Sequence, residues 1–98
     1  MTVIAVLEFN LTPETLAQAL PVVHEVLEET RTFDGCESVD VMVDQADAAH
    51  LVVVERWASM EADEAYRAFR AGPGAPTALA PFLAAAPILT KGVIDPAV

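Results

Sequence analysis

His50-Leu51-Val52-Val53-Val54-Glu55-Arg56-Trp57 reads as a β-strand, and the unbroken apolar run Leu51 to Val54 inside it asks for burial on both faces. Strand side chains alternate, so Val53, Glu55 and Trp57 share one face while Val52 and Val54 take the other. Just upstream, Cys36 to Val43 has a period of two. Val39, Val41 and Val43 line one face, and Cys36, Ser38, Asp40 and Met42 line the other. The polar, small-residue stretch from Asp44 to Ala49 joins these two strands as a hairpin-type loop. Asp34-Gly35 ahead of them is a turn.

Towards the start of the chain, Val3 to Phe9 is a further strand of apolar and β-branched residues. A helix follows. Thr12 is placed to cap it, Pro13 suits the first helical position, and Glu14 favours the positive end of the helix dipole. Leu11 and Leu16 are spaced as a hydrophobic staple. Leu16, Leu20, Val23 and Leu27 recur at helical spacing, with Glu25, Glu28 and Glu29 on the wet side. Pro21 falls inside this helix, where proline costs ~3 kcal/mol, and is expected to kink or split it. Beyond Trp57, Ser59 is placed to cap a second helix whose apolar stripe is Ala62, Ala65, Tyr66 and Phe69. Gly72 to Pro76 is a linker. A short third helix is expected over Thr77 to Ala86, with Leu79, Phe82 and Leu83 inward, and a last strand over Ile88 to Ile94.

The order is therefore β-α-β-β-α-(α)-β, which is the α+β, ferredoxin-like βαββαβ arrangement with a four-stranded antiparallel sheet. Its helices cover one face only. Val52 and Val54 point to the other face, and the economical cover for them is the same sheet from a second copy, which predicts a homodimer with its two sheets facing. With 98 residues the chain fits one domain, residues 1 to 98, and 54% hydrophobic residues support a packed core.

Five Lys and Arg stand against fifteen Asp and Glu, a formal charge of -10. That balance argues against nucleic acid, which needs a basic face, and against an anionic membrane surface. One cysteine, Cys36, allows no internal disulfide and no thiolate zinc cluster. The opening MTVIAVLEFN is too short for a membrane span and lacks a basic flank, so a cytoplasmic location is expected.

Three stretches carry a resemblance to a known family. They are Glu29-Thr30-Arg31-Thr32-Phe33-Asp34-Gly35-Cys36, the string Val54-Glu55-Arg56-Trp57 with Ser59 two places on, and the helix Glu61 to Arg70. Together they resemble the antibiotic biosynthesis monooxygenase family, from the first strand to Phe69. The resemblance implies a dimeric α/β barrel. It also implies a cofactor-independent oxygenase acting on a small aromatic molecule such as a quinol, anthrone or polyketide. In the polyketide-oxidising members the third strand ends in a tryptophan, with an asparagine four residues before it and a tyrosine six after. Here Trp57 stands, while those other positions hold Val53 and Asp63. The triad of the haem-degrading members falls on Leu7, Tyr66 and roughly Pro76, none of which matches, so haem is not expected. Many relatives also carry a histidine after the second helix, and Gly72 to Thr77 has none.

The expected catalytic set is Trp57, Tyr66 and Asp40. Trp57 would stack on an aromatic and bond its oxygen, or else serve as a core anchor. Tyr66 would bond or protonate an oxygen, or pack in the core with its tip in water. Asp40 would remove a phenolic or carbon-bound proton, or sit solvated at a strand edge or paired with Arg56. Glu55, on the face of Trp57, admits the same two readings. Leu7, Phe9, Val53, Phe69 and Phe82 are the expected substrate-binding wall: the phenylalanines by apolar character, or else simply as fill for the core of a small domain, and Leu7 and Val53 as the positions on which the resemblance places family site residues. His24 and His50 show no metal-ligand spacing, and no metal or cofactor is expected. Cys36 reads as a small hydrophobe. The same residues also admit a binding or accessory dimer without turnover, and an isomerase or cyclase that moves protons without oxygen.

Overall fold

The computed structural model describes residues 2–98. Its elements are β1 (Val3–Asn10), α1 (Leu16–Thr32), β2 (Cys36–Asp44), β3 (Asp47–Trp57), α2 (Met60–Ala71) and β4 (Ile88–Val93), with single 3-10 turns at Pro13–Thr15 and Ala80–Phe82. The sheet order is β2-β3-β1-β4 and every pairing is antiparallel, which is the ferredoxin-like α+β arrangement. Alternation along β3 is strict. Leu51, Val53, Glu55 and Trp57 are buried on the helix side, while Val52 and Val54 are half-buried on the far side.

The β2–β3 connection is tighter than the loop expected over Asp44 to Ala49. Strand β3 begins at Asp47, and the turn is held by two carboxylates that mimic backbone acceptors. Asp44 Oδ1 accepts from Ala46 N at 2.8 Å and Asp47 Oδ1 accepts from Ala49 N at 3.0 Å.

Gly35 ends the α1–β2 turn at φ 86°, and a Cβ there would lie 2.5 Å from Ala62 Cβ. Both the left-handed backbone and the close approach of α2 exclude a side chain. Ser59 caps α2 as expected, accepting from Ala62 N at 3.1 Å. Thr12 makes no side-chain cap bond, because its segment turns first as a 3-10 turn and α1 begins only at Leu16.

Three expectations need correction. Pro21 does not split α1, which runs unbroken through it. Pro21 and Ala17, whose carbonyl loses its helical donor, are both exposed, so water can serve that oxygen. The buried stripe of α1 is Ala19, Val23, Leu27 and Thr30, rotated away from Leu20, which is 43% exposed. The third helix over Thr77 to Ala86 is absent save for the turn at Ala80–Phe82. Its backbone bonds go instead to the end of β1. Thr12 N donates to Phe82 O, Ala84 N donates to Asn10 O, and Leu11 bridges Leu83. Tertiary pairing thus replaces the helix and straps the segment across the open end of the core.

Candidate functional site

Under that strap lies a cavity of about 410 Å³, in the size range of small-molecule sites. The sheet supplies Leu7, Phe9 and Glu55, α1 supplies Val26 and Leu27, and α2 supplies Tyr66, Arg67 and Arg70. The strap closes the far wall with Pro76, Leu79 and Leu83 among others. The wall is apolar except where α2 faces β3.

Glu55 is the polar centre of that wall, with 1% of its surface exposed. Its Oε1 accepts from Trp57 Nε1 at 3.0 Å and from Arg67 Nη2. Its Oε2 is buried and has no partner, and only Ser38 Oγ shares that condition among the described residues. A buried polar atom left unpaired costs of order 1–3 kcal/mol, more when charged, which sets this oxygen apart from the satisfied ones around it. Arg67 is itself held by Asp63, which is fully buried. Arg67 Nε donates to Asp63 Oδ1 at 3.1 Å, and Lys91 Nζ on β4 donates to Asp63 Oδ2 at 2.6 Å. Two buried carboxylates are thus matched by two cations that reach solvent, which is the arrangement that makes charge burial tolerable. None of these bonds uses Arg67 Nη1.

Arg70 is spent entirely on structure. Its Nε donates to the Tyr66 hydroxyl at 2.6 Å. Nη1 donates to Glu29 and to Gly74 O, and Nη2 donates to Val26 O and to Thr30 Oγ1. All five N–H donors are engaged, tying α1, α2 and the start of the strap together. Thr30 Oγ1 donates to Val26 O at 3.1 Å, so the 2.6 Å bond between Thr30 and Tyr66 takes its proton from Tyr66. The tyrosine hydroxyl therefore donates to Thr30 and accepts from Arg70.

Of the residues singled out in the sequence, Leu7, Phe9 and Tyr66 line the cavity. Trp57 does not. It is fully buried behind Glu55, packed on Tyr66 with ring centroids 4.9 Å apart and edge-on to Phe33 at 6.1 Å. Val53 is buried in the core, Phe69 packs on Phe33 at 5.4 Å, and Phe82 flanks the main core cluster. Asp40 is exposed on the opposite face of the sheet, paired in register with Val54, and faces away from the cavity. Arg67 and Arg70 went unremarked in the sequence. The available signal was the scarcity of cations, since three of only five, with Lys91, serve buried partners around one site.

Cys36 is half-buried, and burial first, then the Glu55 charge, pushes its thiol up, away from nucleophile chemistry. No set of three or more His, Cys, Asp or Glu among the described residues is placed to hold a metal ion. No described helix is long and apolar enough to cross a membrane.

Residues 2–75 match the family model described as antibiotic biosynthesis monooxygenase. The chain belongs to that family. Solved structures share the fold over nearly the whole length. A protein of Deinococcus radiodurans assigned to the same family is 22% identical, with 98% of this chain and 95% of that one aligned at a TM-score of 0.82. One from Caulobacter crescentus is 19% identical, over 96% and 91% of the two chains, at 0.80. A Mycobacterium tuberculosis protein is 22% identical, over the full length of both, at 0.78. At these identities the likeness is one of fold. No curated protein matches this antibiotic biosynthesis monooxygenase family member.

Proposed function

We propose that the chain is a cofactor-independent monooxygenase that oxidises a small aromatic of quinol, anthrone or polyketide type with molecular oxygen. The observation that carries this reading is Glu55, a carboxylate that lines an apolar cavity and whose buried Oε2 has no partner. Such an oxygen is built to accept a proton, and proton removal is what makes a phenol or anthrone electron-rich enough to reduce oxygen. The substrate is then its own reductant. For an anthrone, the methylene carbon loses two hydrogens, one oxygen atom stays on that carbon as a carbonyl, and the other leaves as water. The dry wall keeps the anion from being quenched by solvent.

In this reading Glu55, and not Asp40, is the proton acceptor, because Asp40 lies on the opposite face of the sheet. Trp57 is a positioning residue, because its indole N–H fixes Oε1 and so leaves Oε2 as the free oxygen. Leu7, Phe9 and the Tyr66 ring bound the substrate. The working unit is a homodimer joined through the far face of the sheet.

Oxygen uptake by metal-free, cofactor-free protein over a panel of anthrones and hydroquinones tests this, with protein-free autoxidation as control. Uptake above autoxidation is expected, falling by about 10²-fold or more in Glu55→Gln. Trp57→Phe, with its fold checked by circular dichroism, is expected to lose about tenfold in kcat, roughly the worth of one hydrogen bond to a charged group. Uptake no faster than autoxidation across the panel, or equal in wild type and Glu55→Gln, would overturn the proposal.

A further inference from the structure

On the far face of the sheet, strand pairing sets the side chains in rows. One row runs Met42, Val52, Glu8 and Ile88 across β2, β3, β1 and β4, and the next runs Asp40, Val54, Val6 and Thr90. Glu8 is therefore a carboxylate set among Val6, Val52 and Ile88, inside the apolar patch and not at its rim. Its one hydrogen-bond partner among the described residues is His50, whose Nε2 lies 3.0 Å from Glu8 Oε1. The other ring nitrogen, Nδ1, lies 2.9 Å from Asp44 Oδ2. Both nitrogens can donate only in the imidazolium. With that proton the cluster carries one net negative charge. Without it the cluster carries two, and one nitrogen turns a lone pair towards a carboxylate oxygen.

No other side chain makes good that loss. Among the described residues Arg56 is the one Lys or Arg on this face, and it stands four residues beyond Val52 on β3, about 13 Å from the level of Glu8. Asp40 on β2 adds another exposed carboxylate, β4 presents Ile88, Thr90 and Gly92, and α1 and α2 pack on the other face. In a single chain His50, Glu8 and Asp44 are half-buried, so water can serve whatever the imidazole releases. A second sheet laid over the patch removes that water. A two-fold axis along the strands keeps each row at its own level. Met42 then meets Ile88 of the second copy, two apolar side chains exposed in one chain, and Glu8 falls under Val52 of that copy. A carboxylate buried unmatched is costly, whereas one bonded to a cation is tolerable. Covering this face and protonating His50 therefore favour each other.

We propose that association of two copies through this face is coupled to a proton on His50, which matches Glu8 and Asp44 inside the contact, so that the dimer loosens when the imidazolium gives that proton up. This rests on the dimer of the proposed function and not on the chemistry of the cavity. It adds a proton-linked control of assembly.

Sedimentation equilibrium of the full chain at about pH 6 and about pH 9 reads the dissociation constant, in about 1 M salt to screen the general repulsion of acidic chains. The wild-type constant is expected to rise about tenfold or more between the two. For two clusters per dimer, that is an imidazolium held about half a pH unit or more higher in the dimer than in the single chain. Glu8→Gln keeps an acceptor for His50 without the charge, so it is expected to remain dimeric at high pH, with a change under about threefold. His50→Gln is expected to associate weakly at both, with a change under about twofold. Dilution calorimetry at about pH 8, in two buffers of different ionisation enthalpy, counts the protons: net uptake on association in the wild type and none in His50→Gln. Circular dichroism checks that each variant is folded.

A wild-type dimer equally tight at both pH values, or tighter at the higher one, would overturn the proposal and leave the dimer standing. Equal slopes in wild type and His50→Gln would do the same. A single-chain mass under every condition would overturn the proposal and the dimer together. Oxygen uptake is read separately and stands or falls on Glu55.

Discussion

Tyr66 keeps its hydroxyl proton on Thr30 while Arg70 donates to the same oxygen, so removing that oxygen leaves two buried partners short. Tyr66→Phe is expected to cost roughly 1–3 kcal/mol in urea unfolding, the range for stranding buried polar groups. Its effect on turnover should be far smaller than that of Glu55→Gln, because the hydroxyl has no proton to spare for a substrate. His50 is a second residue with a committed chemistry, on the far face of the sheet. Its Nδ1 lies 2.9 Å from Asp44 Oδ2 and its Nε2 lies 3.0 Å from Glu8 Oε1. Only the imidazolium can donate to both. The Asp44 bond first, then the Glu8 bond, raises the histidine above its usual 6.5. That contribution to stability is complete below pH 6.5 and is lost as pH rises through the raised folded value. Asp44 is lowered from 3.8, mainly by the same bond, so its contribution holds above 3.8 and fades as pH falls through the lowered value. The urea midpoint of the wild type is therefore expected to drop between about pH 6 and about pH 9, and to drop less in His50→Gln. Equal slopes in the two proteins would refute the cluster's role.

The elements differ in how much of them a reader of the sequence could see. The strand pattern around Val53, the Asp34-Gly35 turn and the Ser59 cap are local signals, and each is where the pattern put it. Gly35 shows why such signals are firm. Gly35→Ala adds the left-handed penalty to a collision with Ala62, so a loss of roughly 2–4 kcal/mol is expected in chemical denaturation. The strap from Ala75 to Pro87 was not legible, because its alanines favour a helix locally while its backbone partners lie on β1, some seventy residues away in sequence. The site was half legible for a similar reason. Strand alternation placed Glu55 with Trp57, and the Asp63–Arg67 spacing is a visible i, i+4 pair. That Arg67 would reach back to Glu55, and that one carboxylate oxygen would be left over, depends on how α2 lies across β3. Asp40 stands out in the sequence as a mid-strand carboxylate, but β2 is an edge strand and its alternation turns Asp40 outward.

At the scale of the molecule, the two faces of the sheet have separate tasks. The helix side encloses the cavity. The far side presents Ile4, Val6, Val52 and Val54, half-buried, with Met42, Ile88 and Ile94 each at least half exposed around them. An apolar patch that spans the strands is more than a lone monomer ordinarily leaves in water, and a second copy of the same face is its simplest cover. Two chains of charge -10 repel, so the association must be driven by apolar area and should strengthen as salt screens the charges, over a Debye length of about 10 Å at 0.1 M. Val54 sits between Val6 and Asp40 in register, near the middle of that face. Val54→Lys puts a cation beside Asp40, which a single sheet tolerates as a cross-strand pair but a dry interface does not. Sedimentation is expected to give twice the chain mass for the wild type, tighter association at high salt, and the single-chain mass for Val54→Lys. Because every cavity residue lies on the other side of the sheet, the variant should still bind an aromatic ligand within about threefold of the wild type, as distant sites do when they act independently. A dimeric Val54→Lys protein would move the interface elsewhere. Loss of ligand binding with the fold intact would mean that the cavity needs its partner.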